Sequence, residues 1–260
     1  MKLRYWSTLI SLLCVCVLWA GSAQAGSAEE AWYGLVGEKF SVRPEFAYVE
    51  NNPELPNVLI YGDSISIGYT QRVRGMLRGR ANVYRLHCNG GDSGSFIAKM
   101  NTMHDTMRAP GLDSPWDFEW DIIHFNVGLH DLKYVSETGL DKVNGKQVSS
   151  ITEYQQNLRE IVAYLERQAP DAKLIFATTT PVPEGELGRF AGDAQRYNDA
   201  ALEVLGRTVS CFSFTVWLGV GRAGSRASAA AFVVASRRSF SHGFSKNESS
   251  AVDLNLRIKR

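Results

Sequence analysis

The stretch that most constrains the fold of this chain is Asn57-Val58-Leu59-Ile60-Tyr61, an apolar run that stops abruptly at Gly62-Asp63-Ser64. A short run of branched, aromatic and aliphatic residues bounded by glycine reads as a buried strand, and the residues after Ser64 read as the start of a helix. Ser64 therefore falls on a strand-to-helix turn. A serine there is held at the carboxyl end of a parallel strand, close to a positive helix N-terminus, and faces the crevice where α/β sheets bind ligands. Taken alone, Gly-Asp-Ser is also an ordinary turn or helix cap. Its weight depends on the loops that share its sheet edge.

From Asn57 the chain alternates between strand and helix. Ile67 to Leu77, with Val73, Met76 and Leu77 on one face, predicts a helix ending near Gly79, and Ala81 to Leu86 a second strand. A Gly-rich turn at Asn89-Gly90-Gly91-Asp92-Ser93 precedes a helix with Phe96, Ile97, Met100 and Met103 on its apolar face. After a polar, Trp-rich loop from His104 to Glu119, Trp120 to Gly128 reads as the third strand. Ser150 with Glu153 forms a capping box ahead of the stripe Ile151, Leu158, Ile161, Val162 and Leu165, with Pro170 beyond the end. Lys173 to Thr180 predicts a fourth strand stopped by Pro181 and Pro183, and Leu187 to Leu205 a fourth helix. Such alternation argues a three-layer α/β/α sandwich on a mainly parallel sheet, with functional residues on the loops after the strands. The segment 26–56 shows no sustained period and reads as an irregular lead-in over the sheet edge.

A formal net charge of +1 with no long basic stretch in the body of the chain gives no reason to expect nucleic acid or an anionic membrane surface as a partner. At the N-terminus, Lys2 and Arg4, the apolar run Leu9 to Ala20 and the small-x-small site Ala23-Gln24-Ala25 read as a signal peptide over residues 1–25, with Gly26 as the first mature residue. The expected location is thus periplasmic or extracellular, and no stable membrane anchor is expected after cleavage. Cys88 and Cys211 then remain in an oxidising compartment, where a disulfide between them is open and no spacing rule supports it.

Three strand-end loops carry the functional argument together: Gly62-Asp63-Ser64, Asn89-Gly90-Gly91-Asp92-Ser93 and Gly128-Leu129-His130-Asp131. In a parallel sheet such loops converge at one edge, so a nucleophile, backbone donors and polar side chains can meet there. With these motifs in this order, residues 57–205 resemble the SGNH, or GDSL-type, hydrolases, whose sheet is flavodoxin-like. Thr178-Thr179-Thr180-Pro181-Val182-Pro183-Glu184-Gly185 with Gly-Leu-His-Asp is similar to a secreted bacterial branch of esterase type.

The resemblance implies a role for each residue. Ser64 would be the nucleophile and, through its amide, an oxyanion donor. Gly91 would supply a second amide, with Gly90 as the fallback. His130 stands where most of the family has the Asn of Gly-x-Asn-Asp, and an imidazole N–H can serve the same purpose. Asp63 and Asp131 would support these loops. A relay in which His130 and Asp131 act as base and orienter for Ser64 is the less favoured reading, since adjacent loop residues rarely align that way. His124 reads as a core or edge histidine, and His87 and His104 have no metal-ligand spacing. No metal or organic cofactor is called for.

The family's general base, the His of an Asp-x-x-His after a fifth strand, is not found: the histidine of the tail is His242, with Ser239 three residues before it. Between Thr208 and Lys246 stand Arg222, Arg226, Arg237, Arg238 and Lys246 with no Asp or Glu, and the acids beyond are Glu248 and Asp253. This break sets residues 208–260 apart from the hydrolase-like unit 57–207 as an atypical tail, read either as a departure of reading frame or gene model near Gly206 or as a divergent ending. Two function classes remain open. One is a secreted serine esterase acting on a small-molecule or carbohydrate ester such as an O-acetyl sugar, impaired by loss of its base. The other is a non-catalytic carbohydrate or envelope binder, favoured by the missing base and by Trp116, Phe118 and Trp120.

Overall fold

The computed structural model describes residues 26–206 and 209–212. The leader, the side chain of Cys211 and the tail with His242 lie outside the described residues, and with them the signal-peptide, disulfide and reading-frame expectations.

The sheet forms where the apolar runs predict it. Strands β1 (Asn57–Tyr61), β2 (Asn82–Arg85), β3 (Ile122–Phe125), β7 (Lys173–Ala177) and β8 (Ser210–Phe212) make one sheet in the order β2-β1-β3-β7-β8. Every pairing is parallel, with Val58 opposite both Val83 and Ile122, and Ile175 opposite both His124 and Ser210. All five residues of β1 are buried, as its unbroken apolar run requires of a central strand covered on both faces. Its amino end is fixed by a polar clamp: the Asn57 amide donates to Asp121, and Asn51 and Asn82 side chains donate to the Asn57 side-chain oxygen.

Helices cover both faces. On one side α3 (Ser64–Met76) lays Tyr69 against Val58, Ile60 and Val83. The larger core lies on the other side, where α4 (Phe96–Met107), α5 (Ile151–Gln168) and α6 (Asp193–Leu205) pack Met100, Met103, Leu158, Ile161, Tyr197 and Ala201 over Leu59, Tyr61, Phe125 and Phe176. The molecule is thus an α/β/α sandwich. The α5 capping box is formed as expected, Ser150 Oγ accepting from the Glu153 amide and Glu153 accepting from the Ser150 amide.

Four local readings are corrected. The lead-in contains helix α1 (Ala28–Val36), capped by Ser27, followed by the short α2 (Glu38–Ser41). Its buried residues Ala28, Trp32 and Val36 recur every four positions, a stripe too narrow to stand out among the flanking charges. Trp116 and Trp120 are 5% and 2% exposed, packed with Trp32, Phe118 and Tyr84 in one aromatic cluster, so they do not present a sugar-binding face. Helix α6 begins at Asp193 rather than Leu187, because Gly192 adopts a left-handed φ of 91° and Leu187 and Phe190 stay exposed in the preceding loop. Finally, a small antiparallel sheet, β4 (Tyr134–Ser136), β5 (Gly139–Leu140) and β6 (Lys146–Gln147), comes after the third strand-end loop, where no element was expected.

Candidate active site

The three loops meet at the carboxyl edge of the sheet. Asp63 caps α3, its Oδ1 accepting from the Ile65 amide at 2.8 Å, and this places Ser64 as the first residue of the helix with its side chain exposed. Neither the Ser64 hydroxyl nor its amide has a hydrogen-bond partner among the described residues. A free amide is expected there, because the first turn of a helix has no internal acceptor for its N–H groups.

The second loop is drawn onto the first. The Gly90 amide donates to the Gly62 carbonyl at 3.0 Å, and the Gly90 carbonyl accepts from the Tyr61 hydroxyl and from Lys99 Nζ. A Cβ at Gly90 would lie 2.9 Å from the Gly62 backbone, so only glycine permits this approach. Gly91 has φ of 68°, and its amide donates to Asn89 Oδ1 at 3.0 Å. The two glycines therefore differ: the Gly90 amide is committed to the backbone, whereas the Gly91 amide donates to a side chain.

The third loop is tied to the second through Asp131. Its carboxylate is fully buried and accepts from the Ser93 amide at 3.0 Å and from the Ser93 hydroxyl, which also accepts from Asn157. Burial raises the Asp131 pKa, while the Ser93 bonds pull it back. With its oxygens engaged in this way, Asp131 supports the loop and does not orient His130.

His130 instead faces the Ser64 turn. Its Nε2 lies 4.0 Å from Asp63 Oδ2, and its Nδ1 lies 3.2 Å from Lys133 Nζ. Burial and then the charges of Lys133 and Arg189 push the imidazole down to about 4, so near neutrality the Asp63 contact is a neutral ring beside a carboxylate and not an ion pair. Asp63 is 1% exposed, and its Oδ2 is a buried oxygen with no hydrogen-bond partner among the described residues. Burial raises its pKa against the opposing Ile65 amide and Arg189 charge. Arg189 also donates from Nε to the Leu129 carbonyl at 2.8 Å, fastening the loop before α6 to the third strand-end loop.

Three other histidines lie among the described residues. His104 Nε2 accepts from the Trp120 indole, His124 meets Tyr69 edge-on, and burial pushes His87, His104 and His124 down to about 4. Lys99, Lys133 and Arg189 fall outside the three loop motifs. Lys133, three residues after His130, was the most findable of them.

No protein-family model matches the sequence, and no curated protein matches it. Among solved structures the chain is similar to a protein from Parabacteroides merdae described as a GDSL-like lipase, at 13% identity over 62% of this chain and 78% of that one, with a TM-score of 0.45. It is similar to an acetylxylan esterase from Geobacillus stearothermophilus at 16% identity over 60% and 75%, with a TM-score of 0.43. A family two carbohydrate esterase from Clostridium thermocellum, solved with cellohexaose, matches at 13% identity over 61% and 54%, with a TM-score of 0.42.

Proposed function

We propose that this chain is an exported serine hydrolase of the ester-cleaving type, with Ser64 as nucleophile and its signal peptide removed before Gly26. The observation that supports this most is the meeting of an exposed helix-N1 serine, free of intramolecular hydrogen bonds among the described residues, with a neutral imidazole across the same turn. Attack of Ser64 Oγ on an ester carbonyl, its proton passing to water, forms an oxyanion; collapse expels the alkoxide, which takes a proton from water, and leaves an acyl-enzyme that a second water hydrolyses to the acid and free Ser64.

Three donors serve that oxyanion in this reading. The Ser64 amide is free at the start of α3. The Gly91 amide joins once Asn89 turns aside, and His130 contributes its Nε2–H. Lys99, Lys133 and Arg189 lie around His130 and favour negative charge there, against Asp63 and Asp92. His130 is not the base: Nδ1 accepts from Lys133, and Nε2 therefore carries the proton.

In the resembled family the base comes after a fifth strand, and beyond Leu205 this sequence carries Ser239 and His242 in place of an Asp-x-x-His. Loss of such a base slows serine hydrolases by about 10⁴-fold or more, leaving catalysis by the oxyanion donors and binding. The proposed activity is accordingly slow, on a small-molecule or carbohydrate acyl ester. Labelling with a fluorophosphonate followed by peptide mass mapping tests the assignment. One adduct on the peptide holding Ser64, absent from Ser64→Ala, is expected; an adduct elsewhere, or one that survives the substitution, overturns it.

A further inference from the structure

Resting on the reading of His130 as an oxyanion donor, the geometry points to Lys133 as the positioning residue that sets the tautomer of His130, keeping the ring's single proton on Nε2 where it faces the Ser64 turn. An ammonium group has three donors and no acceptor, so across the 3.2 Å contact Nδ1 must accept. A neutral imidazole has one proton, which then resides on Nε2. The second neighbour selects the same state. Asp63 Oδ2, 4.0 Å from Nε2, would repel a lone pair and attracts an N–H.

Lys133 is itself placed to do this. Its carbonyl accepts from the Val148 amide at 2.9 Å, so the side chain starts from a fixed point at the foot of the small antiparallel sheet. The need for such a device lies in the residue type. An asparagine amide always offers N–H donors, whereas a histidine has two neutral tautomers and a cation, and only one of the three is neutral with its proton on Nε2.

The charged groups around the ring act together. Lys133 lies on its own loop, Asp63 on the β1–α3 turn, Asp92 on the second loop, Lys99 on α4 and Arg189 on the loop before α6. Asp131 is turned to Ser93. The cations oppose a second proton on the ring, in the same direction as its burial.

The test is nitrogen-15 NMR of the imidazoles in the intact chain, with the His130 signals assigned by their loss in His130→Gln. The expected wild-type spectrum shows protonated Nε2 and bare Nδ1 at neutral pH. In Lys133→Met the tautomers become mixed and the midpoint rises from about 4 toward the ordinary 6.5, and Lys133→Arg restores the wild-type pattern. A proton on Nδ1 in the wild type, or an unchanged tautomer in Lys133→Met whatever its midpoint, overturns the inference. If Lys133→Met fails to fold, seen as shifts in His87 and His104, the wild-type tautomer and the arginine variant decide. Ester turnover is scored separately. A Lys133-dependent tautomer without turnover sustains the inference and sinks the esterase reading, and turnover with a Lys133-independent tautomer does the reverse.

Discussion

Asp131 shows how one side chain can hold two loops in register. It receives the Ser93 amide and hydroxyl from the second loop, and its own carbonyl accepts from the Ser149 amide just ahead of α5. Asp131→Asn replaces one acceptor by a donor facing a buried N–H, so a loss of about 2–4 kcal/mol is expected in urea unfolding. A loss below about 0.5 kcal/mol, the range of an ordinary surface change, would contradict this role. Residues of this kind were legible in part. Ser64, Asp63, Gly91, His130 and Asp131 sit in short motifs directly after apolar runs, so sequence alone places them at one sheet edge. Arg189 was not legible, because its bond to the Leu129 carbonyl spans 60 positions between two loops with no period to link them. Nor could a motif show that the Gly91 amide starts out bound to Asn89.

At the scale of elements, legibility tracked the strength of the repeat. The unbroken run of β1 and the capped stripe of α5 are strong signals, and both elements form where they were expected. Helix α1 was missed because it shows only one buried residue per turn, and the β4–β6 sheet because its two- and three-residue strands are too short to establish alternation. Helix α1 is nonetheless integral to the core. Trp32 donates its indole N–H to the Phe46 carbonyl at 2.7 Å and packs with its ring centre 5.9 Å from that of Trp116. Trp32→Ala is expected to cost about 3–5 kcal/mol, read from the denaturant midpoint. An unchanged midpoint would mean that residues 28–36 are an appendage and not part of the sandwich.

For the whole molecule, the four histidines among the described residues, held at about 4, make stability depend on pH. Their folded values lie below the unfolded value of 6.5, so the unfolded chain binds more protons between these limits, and stability present above 6.5 is lost as pH falls through 4. Asp63 and Asp131, both raised by burial, act in the opposite sense toward the acid end, but two carboxyls offset only part of four imidazoles. Thermal melts should therefore fall steadily from pH 6.5 to 4, and a flat or rising midpoint over that window would contradict the burial of these rings. The central claim, that Ser64 is a nucleophile on this sandwich, is tested most directly by hydrolysis of a small activated acetate ester by the protein beginning at Gly26, beside Ser64→Ala. Slow turnover above the buffer rate that disappears in Ser64→Ala is the predicted result; equal rates for the two proteins would contradict it.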